Sequence, residues 1–412
     1  MLMNEEEKLN KDHYMVFGLS WAGWVFDFYD LLLFTFLVAP IQASLHFSAE
    51  MLSLCLGISL FATGLGGIVF GALGDKFGRK RVLQWTIIIY SIGTCLCAFS
   101  WNFYSLVLFR FITGLGVGGE WGTGQTYINE TFPDKLRAKY GAFMQSGAPV
   151  GVILASLVGG LVTPVIGWRM TFLVSILPAL MVILVRNNLK ESDVWIQNKD
   201  QIANRNLLAE FKQLIAPEHK KIFLISLILC IFGMSAYWYT YSWLPTYLAD
   251  ERGLALIGST IGVIIIQCGD FTGYTTFGYV SEKLGRRPAF TIYSFIMAIS
   301  ISMITLCWNQ ILEIPYLILL FMFLTGFGTG FFGGFGALFS ELFPTKIRNT
   351  AVGTVFNLAR GIQFITPSII TLVAAYTDLS YGIAIAAIFA FLVGVWIWTF
   401  PETRGTVLNE LD

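Results

Sequence analysis

The chain consists of long apolar runs separated by short breaks that carry charged residues, proline or glycine. Because a helix needs roughly 20 apolar residues to cross a bilayer core about 30 Å thick, each run is long enough for one crossing. The pattern predicts an all-α membrane protein with twelve transmembrane helices. They fall at residues 15–40, 51–73, 82–100, 104–129, 139–163, 168–186, 221–248, 256–280, 288–307, 315–341, 349–374 and 379–400.

The only long polar stretch lies in the middle of the chain, at residues 187–220. It divides the sequence into a first bundle of six helices (1–186), a linker and a second bundle (221–412). The bundles repeat one another, since three polar segments recur in the same order. The pairs are GALGDKFGRKR with GYVSEKLGRRP, NETFPDKLR with SELFPTKIR, and LKESD with FPETR. Parallel repeats of this kind are typical of carriers that hold a substrate between two halves near the membrane midplane.

Lysine and arginine predict the orientation, because loops rich in these residues stay cytoplasmic. Four loops carry clusters of them, whereas the opposite loops carry only Arg169 and Arg252. Both termini and the linker are therefore predicted to be cytoplasmic. The polar, acidic start of the chain differs from a cleaved secretory signal, so the first span is expected to remain in the mature protein.

Composition narrows the class of protein. Hydrophobic residues make up 56% of the chain, charged residues 13%, and the mean hydropathy is +0.69, values typical of a membrane protein. A formal net charge of zero argues against a nucleic-acid partner, which needs a surplus of basic residues. The six cysteines lack metal-type spacing, and nucleophile motifs and phosphate-cradling loops are absent from the sequence. We therefore expect neither an enzyme nor a cofactor.

The loops at 71–81 and 278–288 carry a signature that resembles the major facilitator superfamily. It reads Gly-x-x-x-Asp-x-x-Gly-Arg-Lys over 71–80 and recurs with glutamate at 278–287. The stretches RFITGLGVGGEWG and YSWLPTYL, with two aspartates in the first helix, look most like the proton-coupled symporters of organic acids. The ending PETRG is similar to that of sugar porters, but the seventh span lacks their paired glutamines. The resemblance implies a monomeric, multi-pass carrier in the cell inner membrane or plasma membrane.

Acidic and basic side chains recur at the predicted cytoplasmic ends of the helices. Guanidinium groups bind carboxylates with two parallel hydrogen bonds, and a network present in only one state can bias the outward-open against the inward-open form. The expected latch comprises Asp75, Arg79, Glu130, Arg137, Glu191, Glu282, Arg286, Glu341, Arg348 and Glu402. Alternatively, these charges only orient the protein and anchor helix ends.

Charges inside predicted spans are the strongest functional candidates, because they are costly at bilayer depth and face cavities or one another. Asp27 and Asp30, three residues apart, lie on roughly one face of the first helix. The proton-coupling candidates are Asp27, Asp30, Glu120 and Asp270. Arg110 lies about 15 Å along the helix from Glu120, which excludes a direct pair. We expect Arg110 either to lie near one membrane face or to reach the first helix. A fixed structural pair remains the alternative for the two aspartates, as does a buried hydrogen bond for Glu120.

Arg360 is the candidate for binding an anionic substrate, since a guanidinium stays charged and matches a carboxylate. Asn357 and Gln363, three residues away on either side, are expected to add neutral donors and acceptors. The alternative is that Arg360 neutralises Asp270 or another acid. In the seventh span, Tyr237, Tyr241 and Trp243 are expected to line the cavity, although such aromatics also form interfacial belts.

The sequence thus predicts a symporter that moves a small organic anion with protons by alternating access. A monocarboxylate, an aromatic acid or a sialic acid would each suit it, and a sugar or zwitterion symporter of the same fold is the alternative. Membrane lipid and protons are the other expected partners. Spacing alone does not choose between Asp27 and Asp30, and it gives neither the proton stoichiometry nor the direction of transport.

Overall fold

The computed structural model describes residues 9–132, 140–141, 143–176, 190–192, 195–196, 213–254, 256–343 and 347–404. All regular elements in this part of the chain are helical. We number the α-helices in chain order and refer to α1–α6 as the N-terminal half and α7–α16 as the C-terminal half.

The N-terminal half begins where Asn10 caps α1, its side chain accepting from the backbone N–H of His13. The helices of this half are α1 (Lys11–Leu45), α2 (Ala49–Phe77), α3 (Arg79–Cys97), α4 (Phe103–Thr131), α5 (Gly147–Leu157) and α6 (Thr163–Val174). A π-helical turn, Val158–Val162, joins α5 to α6.

The C-terminal half contains shorter pieces because several of its spans are interrupted. Its helices are α7 (Lys220–Tyr241), α8 (Leu244–Thr246), α9 (Leu256–Leu284), α10 (Arg286–Leu306), α11 (Trp308–Leu312), α12 (Pro315–Gly328), α13 (Phe332–Ser340), α14 (Arg348–Ile362), α15 (Thr366–Tyr376) and α16 (Leu379–Trp396). The 3₁₀ or π turns Tyr247–Glu251, Thr329–Phe331, Gln363–Ile365 and Ile397–Thr399 connect or extend them.

Eight segments in the described part of the chain are both long and apolar enough to cross a membrane. Three further helices, α3, α4 and α9, have 19, 29 and 29 residues and so reach spanning length. They fall short in apolar character because glycines, hydroxyls and charges interrupt them. Twelve crossings and the cytoplasmic position of both termini remain predictions.

Two breaks in the helices lie beside a glycine and a proline, and the second falls inside the predicted span 221–248. Gly167 has a φ of 79° inside α6, a conformation that suits glycine, and so separates the runs predicted as the fifth and sixth spans. Pro245 lies in the first turn of α8, after α7 has ended at Tyr241. Proline is tolerated there because its missing N–H would have no partner in the helix.

The halves meet at several places. Helix α2 packs against α14 and α15, and α5 packs against α9. Glycines allow the first contact: a Cβ on Gly64 would lie 2.5 Å from the Cα of Gly361. At the other end of α2, the Ser53 hydroxyl donates to Thr371 over 3.2 Å. These contacts enclose a central space between the halves.

Candidate substrate and proton site

A cavity lies between the two halves. It is lined by Trp24, Phe28, Gln145, Ala148, Met234, Tyr237, Trp238, Tyr274, Phe332, Phe356 and Arg360. The centre of a water-sized sphere can occupy a volume of about 20 Å³ in this cavity. This is roughly enough for one water molecule. On the side where α14 begins, Trp121 stacks on Phe356 across the halves, with ring centroids 3.9 Å apart. The structure therefore represents a state in which the halves have closed around the cavity.

Arg360 is the charged side chain in the cavity wall. It is 2% exposed, and the carbon at the centre of its guanidinium lies 5.4 Å from the ring centroid of Trp24 and 5.6 Å from that of Phe28. Both rings belong to α1 of the opposite half. Its two terminal nitrogens have no hydrogen-bond partner among the described residues. Asp27, between Trp24 and Phe28 in the chain, attracts this charge electrostatically.

The two aspartates of α1 have different partners, although three residues separate them. Asp27 acts on Arg360 of the C-terminal half. The described partners of Asp30 lie in the N-terminal half: its Oδ2 lies 3.6 Å from Nη1 of Arg110, and its Oδ1 accepts from the Thr94 hydroxyl over 2.5 Å. The expectation that Arg110 reaches the first helix is thus met.

Arg110 is fully buried and held from several sides. Its Nε donates to the Ser59 hydroxyl over 3.0 Å, and its guanidinium lies 4.8 Å from the ring centroid of Phe34. With Asp30, it forms a charge pair between α1 and α4 inside one half. Asp30 is therefore held in a structural pair, and its participation in proton coupling remains a prediction.

Asp270 lies in α9 and is surrounded by hydroxyl groups. Tyr241 donates to its Oδ2 over 3.1 Å, and Thr329 donates to its Oδ1. The groups that act on Arg360 include Asp27 and Tyr237 rather than Asp270. The acid that acts on Arg360 is thus Asp27 rather than Asp270, which agrees with the wider alternative that Arg360 neutralises another acid.

Glu120 is buried in α4, away from the lining of the central cavity. Its Oε2 accepts from the Thr86 hydroxyl of α3 over 2.9 Å. Both helices belong to the N-terminal half, so the structure places Glu120 in a buried hydrogen bond between neighbouring helices. Its participation in proton coupling remains a prediction.

Asn357 and Gln363 do not join Arg360 in the described lining of the cavity. Asn357 packs against Gly67 of α2, and its Nδ2 donates to the carbonyl of Gly353 over 3.0 Å. Gln363 accepts from the hydroxyls of Ser235 and Thr366 at 3.1 and 2.8 Å. The first thus belongs to the contact between halves, and the second to the interior of the C-terminal half.

The aromatic residues of α7 separate into different environments. Tyr237 and Trp238 line the cavity, whereas Tyr241 contributes its hydroxyl to Asp270. Trp243 is buried outside the cavity lining, and its indole nitrogen has no hydrogen-bond partner among the described residues. All of them are buried, which argues against an interfacial belt.

The charged motifs form one cluster of ion pairs and backbone hydrogen bonds in each half, centred on Arg79 and on Arg286, and we call each cluster a corner. In the first, Arg79 pairs with Glu130 at 2.8 Å, and the Arg79 backbone N–H donates to Glu191 over 2.9 Å. Gly78, with a φ of 97°, precedes the N-terminus of α3 and lies against that carboxylate, where an added Cβ would clash.

The second corner repeats the first. Arg286 pairs with Glu341 at 2.8 Å and with Glu282 at 2.8 Å. Glu402 accepts the backbone N–H groups of Arg286 and Arg287 at 2.8 and 3.1 Å. Gly285, with a φ of 101°, matches Gly78.

Every described pair in these corners joins elements of the same half. The described pairs therefore move with their own half, and the expectation of a network present in only one state remains a prediction. Arg137 lies outside the described residues, as do the side chains of Asp75 and Arg348. Their part in a latch between the halves remains a prediction.

Sequence reasoning missed most of the cavity wall, namely Trp24, Phe28, Gln145, Tyr274, Phe332 and Phe356. Helical spacing held a signal for three of them. Trp24 and Phe28 lie one turn apart and flank Asp27, and Phe356 lies one turn before Arg360. Metal chemistry has no support in the described part of the chain, where no three His, Cys, Asp or Glu side chains cluster.

Comparisons with known proteins give one family. A family model described as Major Facilitator Superfamily matches residues 17–275 and 268–411. The chain is 32% identical to a Haemophilus influenzae protein named for metabolite transport, over 95% of this chain and 96% of that protein. It is also 32% identical to the sialic acid transporter NanX of Escherichia coli, covering 91% and 92% of the two chains.

Solved structures agree on the fold. The crystal structure of a D-xylose–proton symporter superposes with a TM-score of 0.77 at 20% identity, covering 96% of this chain and 99% of that one. At this identity, the likeness establishes the fold alone.

Proposed function

Because the chain belongs to the major facilitator superfamily of membrane transporters, we propose that it is a proton-coupled symporter of a small organic anion, working by alternating access. It is a multi-pass protein of the bacterial inner membrane. The observation that carries the proposal is Arg360, a buried guanidinium in the wall of a closed cavity between the halves.

Arg360 supports an anionic substrate through its geometry. The Nη1 and Nη2 atoms lack hydrogen-bond partners among the described residues, and a guanidinium presents these donors in the spacing of a carboxylate. A buried donor without a partner is costly. A bound carboxylate would remove that cost, and so the site favours an anion over a neutral molecule.

Asp27 supports coupling to protons through charge balance. With Asp27 ionised, its charge and that of Arg360 cancel across the halves. A carboxylate that binds Arg360 adds one negative charge, and a proton on Asp27 removes it. Because net charge is costly in a closed, buried site, the loaded carrier would close readily only after both the substrate carboxylate and the proton have bound.

Asp30 and Asp270 extend this scheme within each half. The first is held by Arg110 and Thr94, and the second by Tyr241 and Thr329. Hydroxyl groups beside a carboxylate provide partners for both its charged and its protonated form. We propose that these carboxyl groups exchange protons with Asp27 or with the solvent during the cycle.

A zwitterionic substrate is the second candidate. The opposite charges of Asp27 and Arg360 lie on the two halves, so an ammonium and a carboxylate on one molecule would find a partner on each side. In this case Asp27 would bind substrate and would not take up the coupled proton.

The test is proton entry into proteoliposomes that contain a pH-sensitive dye, on addition of monocarboxylates, aromatic acids, sialic acid, betaines and neutral sugars. The proposal predicts acidification with an anion that is lost in Arg360→Gln. Arg169→Gln is the control, since Arg169 is an exposed arginine stacked on Trp168 outside the cavity. Acidification with a betaine alone would favour the second candidate, and uptake with no proton movement would contradict symport.

A further inference from the structure

The side chains that line the cavity limit which organic anions it can bind. This inference rests on the proposed function. We infer that the substrate is a carboxylate attached to a flat aromatic or conjugated body, and that Phe28 and Trp24 determine this specificity. Acids that carry many hydroxyl groups, or a saturated ring of similar size, would be poor substrates.

The first argument is the number and arrangement of rings. Seven of the eleven lining residues are aromatic. Phe28 meets Tyr237 of the other half edge to face, with centroids 6.0 Å apart, and Trp24 meets Phe28 at 4.8 Å. Because Phe28 and Tyr237 already touch, a flat body between the halves would have to replace this contact, and it would then meet ring faces and edges from both sides. Such contacts are favourable beyond the burial of apolar area.

The second argument is where the polar groups of the nearby tyrosines lie. The Tyr241 hydroxyl donates to Asp270, and the Tyr274 hydroxyl lies beside Thr329 and Asp270. These hydroxyls serve the carboxyl group of α9. Asn357 and Gln363, the amides expected beside Arg360, lie outside the described lining, where Asn357 donates to Gly353 and Gln363 accepts from Ser235. The Gln145 amide and the Tyr237 hydroxyl remain in the lining, which gives few partners to an acid that carries many hydroxyl groups.

A hydroxyl group buried without a partner weakens binding strongly. A sialic acid or a gluconate would bring several such groups into a wall made mainly of rings. By contrast, a flat monocarboxylate has all its polar atoms at one end. That end fits Arg360, whose guanidinium lies over Trp24 and Phe28.

Trp24 adds a donor at the same end. Its indole nitrogen is buried and has no hydrogen-bond partner among the described residues, and its ring lies beneath the Arg360 guanidinium. Together, the two side chains supply three unpartnered N–H-bearing atoms for the two oxygens of a carboxylate. Because Arg360 is positively charged, it also disfavours the binding of a purely cationic ligand among these aromatic rings.

The experiment compares matched anions in proteoliposomes, measured as proton-coupled uptake. Benzoate and nicotinate are flat, cyclohexanecarboxylate has similar size without a flat ring, and gluconate and sialic acid carry hydroxyls. We expect benzoate or nicotinate to be transported with a KM at least fivefold below that of cyclohexanecarboxylate, and little uptake of the hydroxylated acids.

The variant Phe28→Leu keeps an apolar side chain and removes the ring. We expect it to raise the KM for the flat acid by about two- to tenfold, the range of one aromatic contact, and to leave that for cyclohexanecarboxylate unchanged. Phe391→Leu is the control, because Phe391 stacks on Phe295 within the C-terminal half and is 51% exposed.

The outcomes separate the two proposals. Equal or better uptake of cyclohexanecarboxylate, gluconate or sialic acid would overturn this inference and leave the organic-anion symporter standing. The absence of transport for the whole panel would overturn both. Both would also fail if the broader panel of the previous test gave uptake of a betaine or a neutral sugar and of no organic anion.

Discussion

Gly64 of α2 lies against Gly361 of α14 so closely that a Cβ on Gly64 would be 2.5 Å from the Cα of Gly361. Only glycine allows this approach of two helix backbones, and the contact joins the two halves. It differs from packing inside either half, because it must form and separate if the halves move.

The first prediction tests this contact. Gly64→Ala should prevent full closure between α2 and α14, lowering the transport rate at least tenfold while the protein still folds. The control is Gly71→Ala on the same helix, where an added Cβ meets nothing within 4 Å. Initial uptake rates and size-exclusion profiles measure the two effects. Normal transport by Gly64→Ala would mean that the contact is dispensable.

The second prediction concerns how Arg360 binds. Arg360→Lys keeps the charge but replaces two parallel donors with a point charge. If the substrate is a carboxylate, we expect the KM to rise about tenfold or more, since hydrogen bonds to charged groups contribute about 1.5–3 kcal/mol. Kinetics in proteoliposomes would measure it. An unchanged KM would contradict bidentate binding.

The third prediction concerns the buried pair of Asp30 and Arg110. Asp30→Asn leaves the Arg110 guanidinium buried without its carboxylate, and breaking such a pair costs about 3–5 kcal/mol. We expect a lower Tm and loss of uphill accumulation, with exchange of substrate across the membrane retained. Thermal unfolding and counterflow assays measure these separately.

A double variant isolates the role of this charge pair. Asp30→Asn combined with Arg110→Gln removes both charges, and so it should recover part of the lost Tm without restoring accumulation. Recovery of accumulation in the double variant would show that neither charge is needed for coupling to protons.

The fourth prediction is a pH dependence at the second corner. Burial raises the pKa of Glu402, but hydrogen bonds from the backbone N–H groups of Arg286, Arg287 and Arg404 outweigh it, so the pKa lies below its ordinary value of 4.5. A lowered carboxyl pKa stabilises the folded state above the unfolded pKa. This contribution is lost as the pH falls below about 4.5.

The variant Glu402→Gln should therefore lower the Tm at pH 7, and the difference from the parent protein should shrink as the pH falls below about 4.5. Tm measured across pH in detergent tests this. A difference that stays constant from pH 7 to pH 3 would show that the charge of Glu402 is not what stabilises the corner.

Local sequence signals predicted the all-helical class and the apolar runs that form helices in the described part of the chain. Such runs, like the interruptions at Gly167 and Pro245, depend on residues that are close in the sequence. The contact of Arg110 with the first helix also followed, because a buried charge requires an opposite one and Asp30 is among the few available.

The surroundings of Arg360 were harder to predict. An i+3 spacing assumes one continuous α-helix, but α14 ends at Ile362 and a 3₁₀ turn begins at Gln363. The tighter turn changes the angle per residue, and Gln363 faces Ser235 instead of the cavity. Asn357 packs against Gly67 instead. This contact joins distant parts of the chain, so no local sequence pattern predicts it.

The two corners also have a consequence for biosynthesis. Glu191 and Glu402 each bind the start of a helix in their own half, yet each follows the last described helix of that half in the chain. The residue that completes a corner therefore leaves the ribosome after the helices it secures. In this order, the N-terminal half can be closed at its charged end before the C-terminal half has been made.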